Sequence, residues 1–171
     1  RLDQPVSGIL VFAKTPAAAK ELNRQLTTSG FGKHYYALVA GTPEPPSADL
    51  ENYLVKDART NTSRICQKNT ADAKLAKLHY NLADTTFFAD IASAISATTS
   101  QLKIKLDTGR HHQIRVQLSG MGCPIIGDTK YNSDTPKLPT GRTPLCLCAY
   151  SLEFKHPVTK KQMTFSLEHY V

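Results

Sequence analysis

Two short stretches of the chain concentrate residue types able to do chemistry. Arg1-Leu2-Asp3 sets a carboxylate beside an arginine, just ahead of Ser7-Gly8 and an apolar run. Held at a rigid edge, such a carboxylate can act as a nucleophile or a base; the same residues also suit a plain surface turn. Thr108 to Arg115 reads Thr-Gly-Arg-His-His-Gln-Ile-Arg. Gly109 permits a tight turn before a helix, and helix N-termini attract anions through free N–H groups. Arg110, His111, His112 and Arg115 therefore mark a candidate polyanion or carboxylate site, against the alternative of a solvated basic face.

Tyr35-Tyr36 lies in the middle of a strand-like segment. Neighbouring strand residues point to opposite faces, so one ring can line a cleft while the other meets a core. A tyrosine beside a basic face suits stacking with a base; two half-buried core tyrosines are the plainer alternative. Cys146 and Cys148 share a strand face, and their spacing matches no zinc pattern, so they read as small core residues and no metal site is expected. There is no phosphate-binding loop, no dinucleotide-binding glycine pattern and no serine nucleophile elbow. No cofactor is expected.

These residues must be positioned by recognisable elements. Val6–Ala13 reads as a strand, with Ile9–Ala13 as its buried apolar run. Thr15-Pro16 is an N-cap followed by proline at the first helical position, which predicts a helix over Pro16–Thr27 with Ala18, Leu22 and Leu26 as its buried stripe, stopped by Gly30 and Gly32. Lys33–Gly41 is a strand, and the proline-rich stretch to Pro46 is a loop. Leu50–Val55 and Ser63–Gln67 form a hairpin, and Ala73–Leu82 is a further strand. Residues 83–100 fit a strand, a short helix or a loop. Leu102, Ile104 and Leu106 alternate with Lys103 and Lys105, the mark of a half-buried strand. Residues 111–119 have helical spacing, with Ile114, Leu118 and Met121 on a core face and His111, His112, Arg115 and Ser119 turned toward solvent or substrate. Asn132–Thr143 is a polar loop. Leu145–Phe154 and Met163–Leu167 are closing strands joined through His156-Pro157. The pattern predicts an α+β fold built on a mixed, largely antiparallel sheet.

Composition narrows the function. The chain has 171 residues, 40% of them hydrophobic and 20% charged, which fits one globular domain. No stretch approaches the roughly 20 apolar residues of a membrane span, and no secretory signal is seen. Four cysteines without such a signal point to free thiols and a cytoplasmic setting. Lys and Arg total 21 against 14 acidic residues, for a net charge of +7. That balance favours a polyanionic partner without choosing among RNA, DNA, ribosome and acidic lipid. Oligomeric state is unreadable, and a monomer is the default. The chain opens with Arg1 instead of Met, directly before a strand, which leads us to expect one domain over 1–171 lacking an N-terminal part.

Taken together, these pieces resemble the RluA-type pseudouridine synthases. Arg1-Leu2-Asp3 with Ser7-Gly8 resembles the end of that family's H-R-L-D-x-x-T-S-G motif, and Lys33–Gly41 resembles its K-x-Y-x-A-x-V-x-G strand. Leu106–Leu118 resembles L-x-T-G-R-x-H-Q-I-R-x-H-L, Gly122–Tyr131 resembles G-x-P-I-x-G-D-x-x-Y, and Leu147–Pro157 resembles the closing L-x-A-x-x-L-x-F-x-H-P. The motifs occur in family order over nearly the whole chain. Val6, Gln117 and Cys148 depart from the usual threonine, histidine and histidine.

The resemblance implies isomerisation of uridine to pseudouridine in ribosomal or transfer RNA, on a uridine flipped from its stack and without cofactor or metal. It implies Asp3 as the essential carboxylate, attacking the sugar, attacking the base or acting in an elimination. It implies Tyr35 against the flipped base and the Arg115 guanidinium beside Asp3, keeping it charged. Arg1 would fill the gap left by the base, and Lys103, Lys105, Arg110, His111 and His112 would hold phosphates. Ile114 and Leu118 would lie in the core beneath. A silent RNA-binding module of the same fold is the alternative.

Overall fold

The Thr15-Pro16 pair starts the first helix as expected. The computed structural model, which describes residues 2–28, 30–84 and 87–169, has Pro16 at the head of α1 (Pro16–Thr27), and the Thr15 hydroxyl accepts from the Ala18 amide at 3.2 Å. The buried stripe differs from expectation. Leu22 is buried, but Leu26 is exposed and Gln25 is buried in its place. The reason is polar: Gln25 Nε2 donates to the Lys155 carbonyl and its Oε1 accepts the Lys155 amide, both at 2.8 Å, tying α1 to the sheet.

The other elements, in chain order, are β1 (Ser7–Gly8) ahead of α1, then β2 (Gly32–Ala40), β3 (Ser47–Asp57), β4 (Thr62–Cys66), β5 (Lys74–Leu82), α2 (Ala89–Ala94), β6 (Thr99–Leu106), α3 (Gln113–Gly120), β7 (Leu147–Lys155) and β8 (Gln162–Ser166). The strands build one sheet in the order β1-β7-β2-β6-β5-β3-β4, with β8 added on β7. Every pairing is antiparallel except β1 with β7. This is the mixed, largely antiparallel α+β architecture that the pattern predicts.

Two expectations need correction. The strand over Val6–Ala13 shrinks to Ser7–Gly8. Ile9 and Val11 pack inward beside Leu22 and Phe31, but Leu10 and Phe12 are exposed at 44% and 83%, so the run is not a buried strand. Gly8 lets β1 lie against β7: its φ is +127°, and any Cβ there would strike the Ala149 carbonyl. Gly32, read as a helix stop, is instead the first residue of β2. The uncertain stretch 83–100 contains α2, and β6 begins within it at Thr99.

Alternation along β2 and β6 sorts the sheet into two faces. Tyr35 pairs with Ile104, and Ala37 with Leu102, on one face; His34 pairs with Lys105, and Tyr36 with Lys103, on the other. Helix α3 joins the first face, where Ile114 and Leu118 share a buried core with Leu78, Ile104 and Leu106, beneath the site as expected. Gln117 pins the helix to the sheet through Leu50 and Asn52, at 3.2 and 2.8 Å. On the reverse face Tyr36 stacks on Tyr150 at 4.0 Å and meets Phe87 at 4.7 Å. Cys146 and Cys148 are buried in the core. Among the described residues, no helix is long and apolar enough to cross a membrane.

Candidate active site

A cleft of about 800 Å³ opens where the segment before β1, strand β2, the end of β6 and the turn into α3 meet. Asp3, Tyr35, Arg110, His111, His112 and Arg115 all line it. The structure thus brings together residues up to 112 positions apart in the chain (Asp3 and Arg115).

Asp3 sits in a turn closed by the Val6 amide on its carbonyl at 2.8 Å. Its Oδ2 accepts from the His112 backbone N–H through a long contact of 3.4 Å. Tyr35 projects from β2 on the cleft face of the sheet. Burial, with a smaller push from the Asp3 carboxylate, raises its hydroxyl to about 12, so the phenol is neutral at any ordinary pH. Lys33, on the same face, is held below the usual lysine range by burial, and the Arg110 charge adds to that effect against an opposing pull from Asp107.

The turn into α3 is clamped by Gln113, which is buried. Its Oε1 accepts from the Thr108 hydroxyl at 2.8 Å and the Arg110 amide at 3.0 Å, and its Nε2 donates to the Lys77 carbonyl at 3.0 Å. The left-handed residue of this turn is His112, with φ 52° and ψ 24°; Gly109 is not left-handed. A non-glycine residue in that region is uncommon and often marks a functional constraint. Arg110 stays exposed at the cleft lip, its Nε donating to the Leu75 carbonyl at 2.8 Å.

The basic face of 111–119 is not turned to solvent. His112 and Arg115 are each only 4% exposed, because the segment around Asp128 and Tyr131 packs over them. Arg115 donates to both oxygens of Asp128, Nε at 2.7 Å and Nη2 at 2.6 Å, and its guanidinium lies over the Tyr131 ring at 5.1 Å. Its ion-pair partner is therefore Asp128, not Asp3. Asp128 Oδ1 also accepts the amides of Lys130 and Tyr131, at 3.0 and 3.2 Å, which folds the covering turn. Gly127 permits this approach: its φ is +79°, and a Cβ there would strike the Pro144 carbonyl.

Lys103 and Lys105 stand apart. Their register with Tyr36 and His34 places both on the reverse face, and Lys103 lies over the Tyr150 ring at 5.8 Å. Alternation showed that they leave the core but not which side of the sheet carries the cleft. Arg1 lies outside the described residues. Asp128, Tyr131, Gln113 and Ser63 support the site but had no role assigned from sequence. The first two were visible only as letters of the G-D-x-x-Y stretch, and Ser63 carried no signal. Among the described residues, no group of three or more His, Cys, Asp or Glu side chains is arranged to hold a metal ion.

Comparisons with known proteins identify the family. A family model described as RNA pseudouridylate synthase matches residues 1–120. The dual-specificity RNA pseudouridine synthase RluA of Haemophilus influenzae is 35% identical over 167 residues, covering 97% of this chain and 70% of that protein. Its Escherichia coli namesake is 33% identical, covering 96% and 69%. Among solved structures, human RNA pseudouridylate synthase domain containing 4 superposes with a TM-score of 0.75 at 21% identity, over 99% of this chain and 70% of that one. Human domain containing 1 gives 0.68 at 22% identity, and this chain spans 61% of its length. With the family model matched over more than half of its length and relatives at this level of identity, the chain belongs to the RNA pseudouridylate synthase family and is of the RluA type.

Proposed function

We propose that this protein converts particular uridines of ribosomal or transfer RNA to pseudouridine, with the flipped uridine seated in the cleft against Asp3. The observation that carries the reading is the carboxylate of Asp3 lining the same cleft as Tyr35 and meeting the turn into α3 through the His112 amide. The reaction breaks the bond from uracil N1 to ribose C1′, turns the base, joins C5 to C1′, releases the C5 proton and takes up a proton at N1, so the product is an isomer. Attack on C1′, attack on the base and removal of a ribose proton all require one carboxylate at the sugar-base junction, and Asp3 fills that place in each.

Tyr35 offers a neutral aromatic face to the uracil, consistent with a hydroxyl pushed up to about 12. Arg115, neutralised in part by Asp128, gives the cleft a fixed positive group that is paired with Asp128 instead of Asp3. Exposed Arg110 and the partly buried Lys33 serve the flanking phosphates. Flipping a uridine costs a few kcal/mol, which these contacts offset.

The test is digestion of unmodified transfer and ribosomal RNA transcripts after incubation with the protein, with nucleosides separated by chromatography. We expect uridine to be lost and an isomer of identical mass to appear as pseudouridine. RNA that binds and returns unchanged from every transcript would instead support a silent binding module.

A further inference from the structure

We propose that His112 is a neutral hydrogen-bond donor to a carbonyl oxygen of the bound uracil, with its single ring proton held on Nε2 by Tyr131. The claim about the uracil rests on the synthase reading; the claim about the proton does not.

Among the described residues the Tyr131 hydroxyl has two hydrogen-bond partners. The Ser63 amide donates to it at 2.8 Å, and His112 Nδ1 lies at 2.8 Å. The amide occupies one lone pair of the oxygen, and a second acceptance, from an Nδ1–H, would leave the phenolic proton with no acceptor among the described residues, so the geometry directs that proton to His112 Nδ1. The ring proton of a neutral His112 then sits on Nε2. His111 is fixed in the same sense: its Nε2 meets Asn61 Oδ1 at 3.2 Å, and its Nδ1 meets the Ser63 hydroxyl at 2.8 Å. The two imidazoles stack with centroids 3.9 Å apart.

His112 lines the cleft, and Nε2 is not among the sealed, unpartnered polar atoms of the interior. Among the described residues nothing hydrogen-bonds it. The left-handed backbone explains the aim. It turns the His112 amide toward Asp3 Oδ2 while the ring reaches Tyr131, so one residue serves the carboxylate with its backbone and the substrate with its side chain.

The charged and titratable groups around the ring keep it neutral. Burial is the largest influence; Arg115 and His111 on its own segment and Lys130 from the covering turn add to it, and Asp3 opposes it, leaving His112 at about 4. A neutral donor suits a neutral acceptor. Phosphates have Arg110 and Lys33 nearby, whereas both uracil carbonyls lose water on entering the cleft and need a donor there.

The test has two arms. In protein with nitrogen-15 histidine, long-range proton–nitrogen spectra from pH 4 to 8 report the tautomer of His112, assigned by its loss in His112→Gln. We expect the Nε2–H form, unprotonated down to about pH 5, and a protected, downfield-shifted Nε2 proton when a uridine-containing oligonucleotide is added. An Nδ1–H tautomer, protonation near pH 6.5, or no response to the RNA would overturn the proposal.

In the second arm, turnover is measured on labelled RNA. Asn tolerates left-handed backbone and still offers Tyr131 a partner, but stops short of the Nε2 position. His112→Asn should lower kcat about tenfold or more with KM unchanged. His112→Gln, whose amide nitrogen reaches that position, should recover most of the loss. Tyr131→Phe should lower kcat, again at unchanged KM, by freeing the tautomer. Wild-type kcat in His112→Asn would contradict the donor role. If the unaltered protein turns over no RNA, the synthase reading fails, and the spectra still decide the tautomer and the donation.

Discussion

Arg115 and Asp128 form a two-pronged ion pair at 2.7 and 2.6 Å, with their side chains 5% and 0% exposed. It couples the helix that lines the cleft to the turn that covers it. Truncating either partner leaves a buried charge alone, which typically costs about 3–5 kcal/mol. We expect Arg115→Ala and Asp128→Ala each to lose stability in that range by urea denaturation, and the double variant to lose clearly less than their sum. Additive losses would mean the pair is not coupled.

Gln113 should matter for shape more than for charge. Replacing it with Leu strands the Arg110 amide, for a cost of about 1–3 kcal/mol. Denaturation should show that loss, and kcat on RNA should fall with it, because the turn carrying His112 loses its clamp.

The placement of basic residues predicts an asymmetry in RNA binding. Arg110→Ala should weaken binding and reduce the slope of log affinity against log salt by about 1. Lys103→Ala and Lys105→Ala should leave kcat on a short single-stranded substrate unchanged, since both stand on the reverse face. Filter binding at several salt concentrations and single-turnover rates check both statements.

That asymmetry marks where the sequence stops being legible. Helix α1 could be bounded to the residue because Thr15 and Pro16 are local signals; alternation located β6 from Leu102 to Leu106, but its first residues, Thr99 to Gln101, carry no such pattern. The side of the sheet that Lys103 shares depends on Tyr36, in another strand, and no period in the chain records it. The motifs located Asp3, Tyr35 and Arg115 in one site, but the partner of Arg115 is a contact across folded space, so Asp128 was missed. Ile9–Ala13 has strand composition, yet Leu10 and Phe12 stay exposed, and composition cannot report which side chains the fold leaves uncovered.

Acid should expose the buried histidines. His112 titrates near 6.5 when unfolded and at about 4 when folded, and burial also lowers His34 and His111. Between those values the unfolded chain binds more protons, so stability falls as pH drops from about 6.5 toward about 4. Urea midpoints should decline over that window, and His112→Asn should flatten the decline. A midpoint independent of pH between 7 and 5 would contradict the assignment.

The central claim, that Asp3 in this cleft isomerises uridine, is tested most directly by release of tritium from C5-labelled uridine in unmodified transfer and ribosomal RNA. Release is expected from the unaltered protein and none from Asp3→Asn, with RNA affinity nearly equal for the two. Release by Asp3→Asn at the unaltered rate would contradict that claim.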